Sequence, residues 1–177
     1  PVESLGAPAG TGERKARVQL EIEVDGWPDH DWAALAREAA RAAASVEPAL
    51  ANPRLEASLL FTTDAEVHAL NQGWRDKDKP TNVLSFPMLE REELLALDPE
   101  GPPVLLGDIA LAQETCAREA AEKGRPLQDH AAHLVIHGLL HLAGLDHEIS
   151  AEDAEEMEAL EVKALAKLGI ADPYCGA

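Results

Sequence analysis

Residues 137–147 have the sequence HGLLHLAGLDH, and the spacing within them indicates a helix that ends at a glycine. His137 and His141 are four residues apart, which on a helix turns the chain about 400° and raises it roughly 6 Å, so both imidazoles lie on one face. Gly144 is the residue type that ends helices, and it lets His147 turn back toward the first two. Three neutral imidazoles leave a fourth tetrahedral position for water, which is typical of a catalytic zinc site.

Two further histidines leave the identity of the ligands open. His130 and His133 continue the same helical face upstream, and either could replace a member of the set. A single histidine in an apolar helix is more often a hydrogen-bonded core residue than a ligand, whereas three around a glycine hinge favour a metal. The stretch therefore predicts a metal site, with His130 and His133 as alternatives to the three ligands.

The same spacing occurs in the metzincin peptidases, whose motif is H-E-x-x-H-x-x-G-x-x-H. Those enzymes place a glutamate after the first histidine, where it deprotonates the zinc-bound water. This chain has Gly138 there. The missing general base weakens a peptidase assignment.

The chain is strongly acidic: its 177 residues include 33 acidic and 15 basic ones, for a formal net charge of -18. Such a surplus argues against nucleic-acid binding, because phosphate contacts need clustered Lys and Arg. Much of the acid is concentrated in residues 90–100 and in the last predicted helix. In that helix a solvated acidic face is expected, formed by Glu152, Glu155, Glu156 and Glu158.

The composition favours a cytoplasmic protein of one domain. No apolar run approaches the ~18 residues of a membrane span, and no signal-peptide pattern opens the chain. Cys116 and Cys175 do not resemble a disulfide framework, which makes the cytoplasm the expected compartment. Residues 1–14 are rich in Pro, Gly and Ala and are expected to form a disordered N-terminal arm, and residues 15–175 a single metallohydrolase domain.

Hydrophobic periodicity predicts an α+β fold. Strands are predicted at 17–25, 55–61, 83–86 and 104–112, and helices at 32–46, 63–73, 113–123, 126–144 and 150–168, with a further helical turn within 88–103. Gly107, in the middle of a strand, predicts a bulge or a close approach of another group to the backbone. The expected structure is a small, mostly parallel four-stranded sheet packed by about five helices, with the zinc-binding helix near the C-terminus.

Three blocks of sequence resemble the YbeY endoribonuclease family. The first runs from Leu70-Asn71 through Trp74-Arg75 to TNVLSFP at 81–87, the second is LGDI at 106–109, and the third covers 133–147. The resemblance spans about residues 17–174. Two positions depart from the family pattern, because Asn82 stands where members commonly have Asp and Leu145 where they have Tyr.

The resemblance implies a bacterial, cytoplasmic, zinc-dependent endoribonuclease that cuts single-stranded RNA, matures the 3′ end of 16S ribosomal RNA and takes part in ribosome quality control. It implies one Zn²⁺ per chain, held by His137, His141 and His147, with Arg75 lining the same cavity. The implied partners are single-stranded ribosomal RNA and the small ribosomal subunit with its associated proteins, with no membrane.

Two residues are the predicted catalytic residues. Arg75 is always protonated and can bind a phosphate through two parallel hydrogen bonds, so it could stabilise a developing phosphorane. The alternative is a surface ion pair with Asp76 or Asp78. Asp146 could orient an imidazole through a hydrogen bond, or could be a simple turn aspartate.

Four further polar residues are weaker functional candidates. Asp108 and Glu114 are weaker candidates for a general base, and Lys77 and Lys79 could guide RNA or belong to a solvated loop. The leading alternative function is a metal-dependent peptidase or amidase acting on a non-RNA substrate. A third is a ribosome-associated scaffold with a structural zinc, which an open coordination position disfavours.

Overall fold

A computed structural model describes residues 17–75, 81–145 and 150–174, with the backbone alone at 73–75. Within these residues the strands are β1 (Gln19–Val24), β2 (Leu55–Thr62), β3 (Val83–Pro87) and β4 (Val104–Ala112). The helices are α1 (Trp32–Val46), α2 (Asp64–Arg75), α3 (Arg91–Leu95), α4 (Gln113–Glu122), α5 (Leu127–Leu142) and α6 (Ala151–Lys167), and a 3₁₀ turn covers Pro48–Ala51.

The four strands form one sheet in the order β1-β2-β4-β3. Both neighbours of β2 run parallel to it, and β3 pairs with β4 in the antiparallel sense. The predicted α+β class with a mostly parallel four-stranded sheet is thus confirmed, as is a helical turn, α3, within 88–103. The arm predicted at 1–14 lies outside the described residues.

The main core lies on one face of the sheet, beneath α1 and α5. Alternate β2 residues, Leu55, Ala57, Leu59 and Phe61, are buried there, as the two-residue period of a strand requires. The chain has few aromatic residues, and Trp27 packs edge-to-face against both Trp32 and Phe61 at ring distances of 4.8 and 5.0 Å. Elsewhere the core is filled by aliphatic side chains, mostly Leu and Ala.

A smaller apolar cluster lies on the opposite face of the sheet, beneath α2. There Val67 of α2 packs with Leu84 of β3 and with Ala110 and Ala112 of β4. α2 therefore sits on the far side of the sheet from α5. The two helices approach the sheet from opposite faces, so β3 and β4 lie between them.

Gly107 of β4 lies where this strand, β3 and the end of α5 approach one another closely. The register between β2 and β4 shifts between Glu56 and Ala57, so the predicted irregularity is present. The φ angle of Gly107 is +153°, and a Cβ there would lie 2.5 Å from the carbonyl oxygen of Phe86 and 2.8 Å from Leu142 Cδ2. Only glycine allows β3, β4 and α5 to approach this closely.

The acidic segment 88–103 is held at both ends by arginine. Near its start, Arg91 Nη1 donates to the carbonyl oxygen of Ala143 at 2.5 Å, and Nη2 forms an ion pair with Glu47 at 3.1 Å. Near its end, Arg54 donates to the carbonyl oxygens of Asp98 and Pro102. The segment is thereby fixed against the C-terminal end of α5 and the start of β2.

The remaining compositional expectations concern membranes and cysteines. No helix within the described ranges is long and apolar enough to cross a membrane. Cys116 is a free thiol in the core, and burial raises its pKa far above the ordinary value, which makes it unreactive. Cys175 lies outside the described residues.

Gly107→Ala is expected to destabilise the fold by about 2–4 kcal/mol, because the Cβ adds a clash with the Phe86 carbonyl to an unfavourable φ. Gly124→Ala is the matched control. Its φ of +66° is also unfavourable, but nothing lies within 4 Å of a Cβ there, so a loss of about 1 kcal/mol is expected. Urea unfolding of the two variants measures both values, and equal losses would contradict the close approach at Gly107.

Candidate metal centre

Helix α5 carries four histidines on one stripe, and the stripe runs from the core to the surface. At its inner end His130 and His133 are 1% and 5% exposed. At its outer end the His137 side chain is 19% exposed and His141 is half-buried. The apolar side chains between them, including Ile136, Leu139 and Leu140, face the core and hold the helix in this orientation.

The rings of His137 and His141 lie side by side, as their four-residue spacing predicts. Their centroids are 4.7 Å apart and the ring planes meet at 74°. This is the pair that can present two imidazole nitrogens to one ion. His147 and Asp146, the predicted third ligand and its neighbour, lie outside the described residues.

A buried carboxylate, Glu161 of α6, connects the histidine stripe to the C-terminal segment. Its Oε2 accepts a hydrogen bond from His137 Nδ1 at 2.6 Å. Its Oε1 accepts from His133 Nε2 at 2.7 Å and from the Tyr174 hydroxyl at 2.5 Å. Burial alone raises the pKa of Glu161, but the hydrogen bonds from His133 and His137 outweigh it and lower the pKa to about 2.

Tyr174 is the hydroxyl donor in this network. Burial and its hydrogen bond to Glu161 raise the pKa of the phenol well above its ordinary value, so it keeps its proton. His133 Nδ1 is buried and has no hydrogen-bond partner among the described residues. His133 therefore forms its hydrogen bond through Nε2, the nitrogen that faces Glu161.

His130 belongs to a separate buried network. Its Nε2 lies 2.8 Å from Glu119 Oε1, which also accepts a hydrogen bond from Asn82 Nδ2 at 2.9 Å. Burial lowers the pKa of His130, and although burial raises that of Glu119, the bonds from Asn82 and His130 hold it below its ordinary value. These bonds join α4, α5 and the start of β3, a structural role for His130.

Gly138 faces the sheet. A Cβ at this position would lie 3.0 Å from Ile109 Cδ1 and 3.3 Å from Ser85 Oγ. A glutamate in its place would have to bury its carboxylate against Ile109, which is costly for a charge without a partner. The packing of α5 therefore explains why the peptidase glutamate is absent from this helix.

The helix ends as the glycine predicts. Gly144 has a φ of +95°, and the amides of Gly144 and Leu145 donate to the carbonyls of His141 and Leu140, which is the Schellman pattern. The side chain of Arg91 crosses Gly144, where a Cβ would lie 2.7 Å from the Cβ of Arg91. The C-terminal end of α5 is thus fixed by a capped turn.

Of the other predicted residues, the structure describes Asp108 and Glu114 in full and Arg75 by its backbone alone. The backbone of Arg75 ends α2, and its side chain, like Lys77 and Lys79, lies outside what the structure describes. Glu114 accepts a hydrogen bond from the amide of Asp64 at the start of α2, so it caps that helix. Asp108 alternates with Ile109 along β4 and therefore points away from α5.

The described donors fit a metal that prefers nitrogen ligands. An ionised carboxylate only accepts hydrogen bonds, so His137 carries its proton on Nδ1 and its lone pair on Nε2. Metal-binding histidines commonly have such a carboxylate on the other ring nitrogen. No group of three or more His, Cys, Asp or Glu side chains that could hold an ion occurs among the described residues, from which His147 is absent.

Sequence reasoning missed Glu161 and Tyr174. It considered Asp146 either as an orienting carboxylate or as a simple turn aspartate, and it treated the acids of α6 as a solvated face, which holds for Glu152, Glu155 and Glu156. A signal was available, since Glu161 lies four residues after buried Met157 and three before buried Ala164, on the apolar stripe. A carboxylate on a buried stripe needs a hydrogen-bond donor or a cation beside it. Nothing in the sequence around Tyr174 indicates that its hydroxyl contacts Glu161.

Comparisons with known proteins identify one family. The family model described as Endoribonuclease YbeY matches residues 18–169. A protein of Erythrobacter litoralis named Endoribonuclease YbeY is 66% identical, over 89% of this chain and 98% of that protein. One of the same name from Novosphingobium aromaticivorans is 60% identical, over 88% and 95%.

A solved structure supports the fold. The solution structure of a Thermotoga maritima protein matches with a TM-score of 0.53 at 23% identity, over 84% of this chain and 92% of that one. At that identity the likeness concerns the fold alone. With a family model that matches most of its length and relatives of such identity, the chain belongs to the endoribonuclease YbeY family.

Proposed function

We propose that the chain is a zinc-dependent endoribonuclease that cuts single-stranded RNA, with His137, His141 and His147 as the metal ligands. The substrate proposed is ribosomal RNA, at the 3′ end of 16S rRNA during maturation and in ribosome quality control. This places the enzyme in the cytoplasm, with the small ribosomal subunit and its proteins as partners. The observation that supports the metal site is the pair of adjacent imidazoles at the surface end of α5.

The reaction is the hydrolysis of a phosphodiester. When bound by three neutral imidazoles, zinc supplies a water whose pKa is near 7 and a positive charge beside the phosphate. The chain supports this with α5, which holds two imidazoles side by side, and with Glu161, which holds the proton of His137 on Nδ1. A general base at position 138 is not needed for this, and there is no room for one, because Gly138 packs against Ile109 of the sheet.

The chain has a net charge of -18, whereas RNA carries a negative charge on every phosphate. Glu152, Glu155 and Glu156 are exposed on α6, while Glu161 of the same helix points inward. Arg75, at the end of α2, is the proposed phosphate-binding residue, and the polar sequence that follows it includes Lys77 and Lys79. A bidentate contact from one arginine to one phosphate is a strong local interaction, so an acidic net charge does not by itself exclude an RNA substrate.

The alternative that the sequence offered, a metal-dependent peptidase or amidase, is opposed by the match to the endoribonuclease YbeY family. The zincin-like spacing of His137 and His141 supports this alternative, and the burial of position 138 against Ile109 opposes it. A non-catalytic scaffold is the third candidate, in which zinc would only stabilise the fold. Substrate tests with one metal-loaded preparation separate the three.

Metal-loaded protein is expected to cut a single-stranded RNA and to leave the matched duplex and a denatured casein substrate intact. A chelator should abolish cleavage, added zinc should restore it, and His141→Ala should be inactive because a ligand is lost. His30→Ala, which removes an exposed imidazole before α1, is the matched control and should cut normally. Gel electrophoresis of labelled RNA measures each rate.

Three results would contradict this assignment. RNA loss that survives both the chelator and His141→Ala would indicate a contaminating nuclease. Hydrolysis of casein in place of RNA would favour the peptidase. Bound zinc with neither activity would favour the scaffold.

Arg75→Ala is expected to lower RNA cleavage about 100- to 1,000-fold, because it removes a charged donor to the transition-state phosphate. Zinc content, measured by atomic absorption, should stay at the wild-type level. Arg37→Ala makes the same change on an exposed face of α1 and should leave the rate unchanged. Normal cleavage by Arg75→Ala would remove Arg75 from the mechanism and indicate a surface ion pair instead.

A further inference from the structure

We infer that Glu161 is the positioning residue for the His137 imidazole, and that Tyr174 completes this arrangement from the segment after α6. The inference rests on the metal site proposed above. It assigns to the buried carboxylate on α6 an orienting role for which the sequence had offered Asp146 as one candidate.

The two oxygens of Glu161 have different partners. Oε2 accepts from His137 Nδ1 at 2.6 Å, and Oε1 accepts from His133 Nε2 and Tyr174 Oη at 2.7 and 2.5 Å. The carboxylate therefore touches the proposed ligand through one oxygen and its supporting groups through the other. Substitutions can weaken either side separately.

The bond to Oε2 determines which nitrogen of His137 can bind a metal. Because the carboxylate accepts and does not donate, the proton of His137 stays on Nδ1 and the lone pair on Nε2. The same bond restrains rotation of the ring about the Cβ–Cγ axis. A carboxylate in this position also increases the basicity of the ligand nitrogen.

The bond from Tyr174 supports Oε1. Gly169, with a φ of +76°, ends α6, and Arg125 Nη2 then holds the carbonyl oxygen of Ala171 at 2.7 Å. These contacts fold the chain back so that the Tyr174 ring packs edge-on against His133, with centroids 5.5 Å apart. The phenol is thereby placed so that its hydroxyl donates to Oε1.

The arrangement is poorly suited to stability alone. Glu161 is 0% exposed on a helix face otherwise lined by Met157, Ala164 and Leu165. Apolar residues that replace a buried ionic network of this kind are often neutral or stabilising. His133 leaves Nδ1 without a partner in the described part of the chain while it donates through Nε2, a further cost. A role for the carboxylate at His137 accounts for both costs.

Glu161→Gln and Tyr174→Phe test the inference, with Glu156→Gln as the matched control for the same chemical change at an exposed position of α6. Zinc affinity of the full chain is measured by competition with a chromophoric chelator. Glu161→Gln should weaken it about 10- to 100-fold. Tyr174→Phe should weaken it less, since the bond from His137 to Oε2 remains, and Glu156→Gln should match wild type.

Two further measurements separate positioning from folding. The visible absorption of the Co²⁺-loaded protein should change in Glu161→Gln, because the ligand field reports the direction and basicity of His137. Thermal unfolding of the metal-free variants reports stability alone. A fall in melting temperature with unchanged zinc affinity and an unchanged cobalt spectrum would show a structural role and overturn the inference.

Each remaining outcome is decisive. If Glu161→Gln does not fold, Tyr174→Phe decides: weaker zinc binding supports the inference, and wild-type binding overturns it. Wild-type protein that binds no zinc would refute the metal site proposed above. Wild-type protein that binds zinc, with all variants equal to it, would refute this inference and leave that site standing.

Discussion

The burial of α5 against the sheet is the constraint on which the rest of the structure depends. The helix packs against α1, α4, α6 and two strands, and only its C-terminal third brings histidines to the surface. Gly138 touches Ile109, so the helix cannot rotate without opening the core. The direction in which His137 and His141 leave the helix is therefore determined by apolar packing, and a preorganised pair results.

The elements closest to this helix could be predicted because their signals are local. A 3.6-residue period placed His137 and His141 on one face, and the left-handed preference of glycine placed the helix end at Gly144. Strict alternation predicted β1, and glycine within a strand predicted the irregularity near Gly107. Each of these inferences needed only a dozen neighbouring residues.

The features that sequence reasoning missed are non-local. Strand order depends on which surfaces pack, so the place of β3 outside β4 could not be read from periodicity. Glu161 is 24 residues from His137 along the chain, and Tyr174 is 41 from His133. The burial of Glu161 was visible as an acid on an apolar stripe, but its partner was not. His130 and His133 looked like candidate ligands because spacing does not reveal which imidazoles lie beneath the surface.

The two arginines that hold the acidic segment divide it into a fixed part and a tolerant one. Arg91 anchors the start of the segment, Arg54 holds the carbonyl oxygens of Asp98 and Pro102, and residues 99–101 between these two carbonyls are exposed. Lengthening an exposed loop costs little loop-closure entropy when both of its ends remain held. The bond between Pro99 and Glu100 is therefore a natural place to graft a peptide epitope or a fluorophore, at a point where added chain leaves the histidine helix undisturbed.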